Sequence, residues 1–518
     1  MSHLRNSLED PIVCLTSEPS ENGYRYASSP ALGSNFDRPR RPSQVETSAI
    51  TRPSVRILAP DLLRGLLMTL MALDHVALGL HTWELGTNRT GESDGVIVKR
   101  WNDTAAYVIR TLTHLCAPGF VFLLGMGVVF LSQSRTKLGW SAWRLLWYYT
   151  LRAVILTLVT VLLGLIGSYG NIWFLNLILF ALAVDYLLAG VLWLLMSKTE
   201  EALARGIACL FIMHDKRVTA RAYENEDDDE EEGSESQSLL RRGDDNRRED
   251  EWRSLAASTS WHIHNLLLLV LSLVSIFWNI WLSPTHGHCK AQTSDDSPNI
   301  PIIASTKIPK NLLLRIWFWP VKADRIMSAK RWNSAAMAAG HLSASLLFAV
   351  VFVSTRLFHF GNLSENCLHT PDQERNRSRN PYLASPASFF YIVKYPPDVP
   401  FWAFCMSANL LILALFTATP TRIAKRLTVL LDFGTSALFF YVIHLLLALS
   451  FLAGLLKSWF GNKTGIPDPL NPDSTKGVTN LYGYFAAWLG VLVIMWPLCR
   501  LYSRFKSTKN ADSLWRLF

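Results

Sequence analysis

The chain has 518 residues, of which 50% are apolar, 12% aromatic and 18% charged, whereas soluble domains carry charge on roughly a quarter of their residues. That balance excludes an ordinary cytosolic enzyme. The formal charge of +9, from 50 Lys and Arg against 41 Asp and Glu, would indicate nucleic acid only if the basic residues gathered on a soluble face, and they instead flank apolar blocks.

Residues 1–52 are rich in Ser, Pro, Arg and Glu without apolar periodicity and read as a disordered cytoplasmic tail rather than a signal peptide. Beyond it come nine apolar spans, over 57–81, 105–132, 144–167, 171–196, 261–283, 335–358, 399–419, 433–457 and 481–503. Each is long enough to cross a hydrocarbon core of roughly 30 Å, and none alternates with period two, so helices rather than barrel strands are predicted. The predicted fold is an all-α polytopic membrane bundle. Its halves cover 53–197 and 261–518, separated by a charged insert over 198–260. That insert holds nine acidic residues between Glu224 and Glu235, followed by an Arg-rich stretch. It reads as a disordered cytoplasmic loop, and the unbroken run of carboxylates lacks the spaced ligands of a calcium loop.

Loop charges set the orientation. Arg135, Lys137 and Arg144, then Arg422, Lys425 and Arg426, then Arg500, Arg504, Lys506 and Lys509 should be cytoplasmic, as should the N-terminus. N-x-S/T sequons at Asn88, Asn102, Asn362, Asn376 and Asn462 should face the lumen or the exterior. Nine crossings cannot satisfy both sets, so a tenth is expected. The short run from Leu312 to Val321, ahead of Lys322 and Arg325, is the preferred site for it, and 202–213 is the rival. A crossing at 312–321 puts Cys289 and Cys367 on the same outer side, where a disulfide could form. Seven scattered cysteines without a CxxC pair give no reason to expect a metal site.

The informative charges are those inside the spans. From Arg56 to Trp83 the first span contains Asp61, Arg64, Asp74 and His75 among Leu, Met and Ala. An ionisable side chain in hydrocarbon costs several kcal/mol unless it faces a polar interior, so these are functional candidates. At 100° per residue, Asp61, Arg64, Gly65, Met68, Ala72, His75 and Gly79 share one face, with Asp74 and His81 on another. Asp61 and Arg64, three residues apart, equally fit a buried ion pair that fixes helix packing. His114, just ahead of Pro118 and its glycines, fits either a pocket wall or a side chain satisfying backbone freed by the proline. Lys394, Tyr395 and Asp398 stand beside two prolines before the seventh span, and His444 lies mid-span, where a lone histidine is more often a packing residue.

The segments "DLLRGLLMTLMALDHV", "THLCAPGFVFLLG", "KYPPD", "LFFYVIHLLL" and "WPLCRLYSRFK" stand in the order seen in the transmembrane acyltransferase family named for the heparan-α-glucosaminide N-acetyltransferase catalytic domain. The chain resembles that family, closest to its fungal and microbial branch, over 56–518 apart from the acidic insert. It departs where relatives have a clear middle span with a Pro-Trp signature and this chain has only the run at 311–321. The resemblance implies transfer of an acyl group, typically acetyl, from cytosolic acetyl-CoA to an acceptor on the opposite face, a sugar amine or hydroxyl. It also implies a luminal active-site histidine, a role open to His81 or His75, with Asp74 suited to orienting the imidazole. Asp61, Arg64, His114, Lys394 and His444 are then candidates for binding substrate or acyl-CoA, and Arg64 is suited to a phosphate. One-step transfer and an acyl-histidine intermediate stay open. So do a proton-coupled transporter, since the same intramembrane charges describe an ion pathway, and a catalytically inactive relative. The expected setting is the secretory pathway, in a vacuole-like compartment, the endoplasmic reticulum or the plasma membrane, with lipid, acyl-CoA and a glycan or small acceptor as partners and no nucleic acid.

Overall fold

The structure is a computed structural model. It describes residues 58–83, 101, 103–167, 177–224, 235–281, 334–361, 371–372, 380–392, 398–464, 474–509, 513 and 515. The 1–52 tail, the run at 311–321, Lys394, Cys289, Cys367 and the sequons at Asn88, Asn102, Asn362 and Asn376 lie outside the described residues.

Among the described residues nine helices are long and apolar enough to cross a membrane, and each overlaps one of the nine predicted spans, the fourth reaching further towards the C-terminus (Leu179–Thr219) and the fifth starting earlier (Arg247–Val274). The chain is an all-α polytopic bundle. Its elements are α1 (Ala59–Leu80), α2 (Thr104–Thr113), α3 (Cys116–Lys137), α4 (Ala142–Gly167), α5 (Leu177–Glu224), α6 (Glu235–Trp281), α7 (Ser334–Leu357), α8 (Val399–Ala418), α9 (Thr428–Thr435), α10 (Ala437–Leu446), α11 (Leu452–Phe460) and α12 (Leu481–Ser507). A two-residue pairing of β1 (Asn462–Lys463) with β2 (Lys476–Gly477) completes them.

The chain divides into two compact units, one containing 198–263 and the other 57–197 with 264–518. In the first, 198–224 and 235–260 are helical parts of α5 and α6, where a disordered insert was expected, while 225–234, most of the acidic run, lies outside the described residues. The two run antiparallel. The Ser260 hydroxyl donates to the Glu200 carbonyl at 2.8 Å, the Phe211 and Trp252 rings lie 5.3 Å apart, and Lys216 pairs with Glu249 at 3.1 Å. The charges that suggested disorder therefore serve partly as pairs, including Arg253 to Glu249 and Arg247 to Glu251 one turn apart. The 202–213 run is no separate crossing. It is a continuous part of α5, with Ala208 buried and Leu210 exposed.

In the larger unit α1 is the spine, packed against α2, α3, α8, α9, α10, α11 and α12. Glycines allow this closeness. A Cβ on Gly65 would overlap the Leu430 carbonyl, and one on Gly434 would overlap the Asp61 carbonyl, so α1 and α9 cross backbone to backbone. At its far end α1 stops in a Schellman turn. His81 adopts the left-handed conformation (φ 49°, ψ 50°), its N–H donates to the Leu78 carbonyl and the Thr82 N–H donates to that of Ala77. The Val478 N–H takes up the Leu80 carbonyl at 2.9 Å, tying β2 to this end. The exposed sequon residue Asn462, in β1, belongs to the same end as His81.

Two predicted spans are not single helices. The eighth is broken at Ser436, after α9, and again by a π-helical turn over Leu447–Phe451. The Ala448 carbonyl of that turn lies against Gly79, where a Cβ would overlap it. The second span breaks at His114–Leu115, where α2 ends and α3 begins.

Candidate functional site

A cavity of about 320 Å³ opens beside α1, within the usual range for small-molecule sites. Arg64, Met68, Met71, Asp74 and His75 of α1 form one wall. The others come from Phe120, Leu123 and Leu131 of α3, Arg152 and Leu156 of α4, Leu179, Leu182 and Tyr186 of α5, Thr435 of α9, Leu438 and Tyr441 of α10, and Lys506 of α12. Hydrocarbon side chains make up most of the surface, and the polar groups are few and spaced apart.

The polar stripe on α1 behaves as its spacing implies, with one correction. Asp74, expected on a different face, lines the cavity beside His75 and is exposed there. Neighbouring residues on a helix diverge by 100°, yet a cavity that wraps around part of α1 receives both. Arg64 donates to the Asp61 carboxylate at 3.0 Å and to the Gly434 carbonyl at 3.4 Å, a reach made available by the glycine crossing. The pair anticipated from the i, i+3 spacing exists, and its arginine also serves the cavity wall.

His75 and His444 form a hydrogen-bonded pair at the cavity. His444 is wholly buried, and its Nδ1 lies 2.8 Å from the Phe440 carbonyl. A carbonyl only accepts, so Nδ1 of His444 carries the hydrogen. Its Nε2 lies 2.8 Å from Nδ1 of His75. With both rings neutral, Nε2 of His444 has the lone pair, His75 donates from Nδ1, and the lone pair of His75 falls on Nε2. The ring of His444 stacks on His75 at 5.1 Å and on Phe440 at 5.0 Å, and Tyr441 meets both histidines edge-on. One imidazole thus fixes the tautomer and plane of the other, as a second-layer partner does for a catalytic histidine.

His114 sits outside the cavity, buried against Phe401 at 5.5 Å. Its Nδ1 donates to the Arg110 carbonyl at 2.6 Å and its Nε2 accepts from the Arg110 guanidinium at 3.1 Å. It orients Arg110, which is close enough to Asp74 to interact electrostatically. The backbone freed by Pro118 is satisfied elsewhere. Proline has no N–H for the His114 carbonyl, and the Cys405 thiol of α8 donates to it instead, at 3.4 Å. One residue on, the Asn409 amide donates to the Leu115 carbonyl at 3.1 Å.

His81 is buried in its Schellman turn and is not part of the cavity wall. Of the sequence candidates, the cavity therefore gathers Arg64, Asp74 and His75, with Asp61 and His444 behind them, and leaves out His81 and His114. Residues that sequence reading missed are Arg152, Tyr186, Tyr441, Thr435 and Lys506. Arg152 was detectable, being a cation in the middle of an apolar span, while Tyr186 and Tyr441 carry no signal that separates them from membrane aromatics. No family model matches the chain, and a search of curated proteins finds no match.

Proposed function

We propose that the protein is an integral membrane acyltransferase that moves an acetyl or other acyl group from acyl-CoA on the cytosolic side to a sugar amine or hydroxyl on the luminal or exterior side. The observation that carries this reading is the His444–His75 pair at the wall of a cavity whose other end holds Arg64 and Lys506. Arg64 and His75 are eleven residues apart on α1, about 16 Å of rise. A donor with anionic phosphates at the basic end would present its thioester near the histidine.

His75 supplies the base. Its Nε2 accepts the proton of the acceptor hydroxyl or amine as that group attacks the thioester carbonyl. The C–S bond then breaks, and the imidazolium returns the proton to the departing thiolate. In the alternative route the same lone pair attacks the thioester first, breaking the C–S bond and expelling the CoA thiolate. The acceptor then attacks the Nε2-acyl group, the C–N bond breaks, and the acceptor's proton passes to the thiolate. In both, the imidazolium-like state keeps its Nδ1–H bond to His444, now charge-assisted. Asp74, which lines the same cavity, supplies negative charge to offset that of the ring.

The test is acetyl transfer by purified protein reconstituted in liposomes with radiolabelled acetyl-CoA and a glucosamine-type acceptor. Transfer or CoA release should occur in wild type and vanish in a folded His75→Ala variant. Acid-quenched protein carrying label on His75 would select the covalent route. Acceptor uptake that is indifferent to acetyl-CoA, with no thioester cleavage, would replace this reading with a transporter.

A further inference from the structure

We infer that Arg152 is an intramembrane anion anchor, so that the ligand of the cavity carries a phosphate seated against this guanidinium, with its apolar part along Met71, Leu123, Leu156 and Leu182. The inference rests on the acyltransferase reading only for which molecule bears the phosphate. Arg152 is the eleventh residue of the 26-residue α4, about 15 Å from the start of that helix, where an uncompensated cation is costly. Among the described residues no carboxylate pairs with it. Its Nη1 donates to the Tyr186 hydroxyl at 3.3 Å, its guanidinium stands 4.4 Å over the Tyr186 ring, and Tyr148 is also within reach. Its Nε is buried and has no hydrogen-bond partner among the described residues. The side chain nevertheless keeps accessible surface, and it lines the cavity.

The surroundings hold the guanidinium rather than neutralise it. Tyr149, wholly buried, meets Tyr186 edge-on at 5.8 Å. The Tyr149 hydroxyl is hydrogen-bonded to Ser132, and its ring fills the space where Gly190 has no side chain. A rigid aromatic wall thus presents a charged fork to the cavity without meeting its charge. Tyrosine faces and hydroxyls make a cation tolerable in hydrocarbon, but only an anion neutralises it. Phosphate matches the fork geometry of arginine.

Two sources can bring such a phosphate, the donor's phosphopantetheine arm or an anionic lipid entering from the bilayer, and binding measurements separate them. Purified protein in phosphatidylcholine nanodiscs is titrated with acetyl-phosphopantetheine and with acetyl-pantetheine, which lacks only the phosphate. In parallel, retention of phosphatidic acid over phosphatidylcholine is measured. Wild type should favour the phosphorylated member of one pair by about ten- to a hundredfold, the worth of a charge-assisted contact. Arg152→Met should reduce that preference to threefold or less, and Tyr186→Phe should reduce it several-fold by loosening the fork. Dependence on Arg152 in the thioester pair identifies the donor as the source, and dependence in the lipid pair identifies the membrane. A preference that survives in Arg152→Met, or is absent from both pairs in wild type, overturns the inference. Should the Met variant fail to fold, Arg152→Lys decides, because a single ammonium cannot make the paired contact and the preference must still fall. The readout is binding, so absence of acetyl transfer would remove the acyltransferase reading and leave this one standing.

Discussion

Replacing His444 by phenylalanine keeps an aromatic ring of similar size in a fully buried position but removes the acceptor that faces His75 Nδ1 at 2.8 Å. The ground-state consequence is a donor left without this partner in a sparsely polar wall, a loss of about 1–3 kcal/mol in stability. The kinetic consequence is separate. At the transition state His75 carries positive charge, and the bond from its Nδ1–H to His444 is then charge-assisted, worth about 1.5–3 kcal/mol. Only the excess over the neutral bond, about 1–1.5 kcal/mol, enters kcat, so at about 1.4 kcal/mol per factor of ten acetyl transfer should slow roughly five- to twelvefold, with little change in the KM for acetyl-CoA. The assay is initial-rate transfer by wild type and His444→Phe at equal amounts of folded protein, judged by thermal unfolding in detergent. A folded variant with kcat within twofold of wild type would refute the claim that the second imidazole fixes the first.

Other outcomes follow from the same geometry. His81→Gly should change stability by no more than about 1 kcal/mol, since relief of a left-handed L-residue offsets lost packing. It should also keep transfer within a few-fold of wild type, so a collapse of activity matching His75→Ala would return the catalytic role to His81. Gly434→Ala sets a methyl on the Asp61 carbonyl and should destabilise by about 1–3 kcal/mol as α1 and α9 separate, which chemical or thermal unfolding measures. Asn462 should carry a glycan in a eukaryotic host, and a cysteine replacing Arg422 should react with impermeant reagents only from the opposite side. Labelling of both from one side would refute the proposed orientation.

The spans were legible because hydropathy over twenty residues reports on the bilayer directly. The breaks within them were not. The π turn at Leu447–Phe451 packs its Ala448 carbonyl on Gly79 of α1, and the Ser436 hydroxyl donates to the Cys499 carbonyl of α12, distant partners that the local sequence does not name. The antiparallel helices over 198–224 and 235–263 are not legible because a charged stretch looks solvated until a second stretch is available to pair with it, as Glu249 is with Lys216. The α1 stripe was readable from its spacing. His444 reads as a packing residue in the sequence because its partner is 369 positions away, and Arg152 is one of many cations along the chain until the fold sets it beside Tyr186.

The thiol of Cys405 standing in for the hydrogen that Pro118 lacks also bears on motion. A carbonyl stripped of its donor in an oily medium binds its helix to whichever neighbour supplies the replacement. Here that neighbour is α8, which supplies the Cys405 thiol and, one residue on, the Asn409 amide, so any sliding of α8 along the break between α2 and α3 costs both contacts.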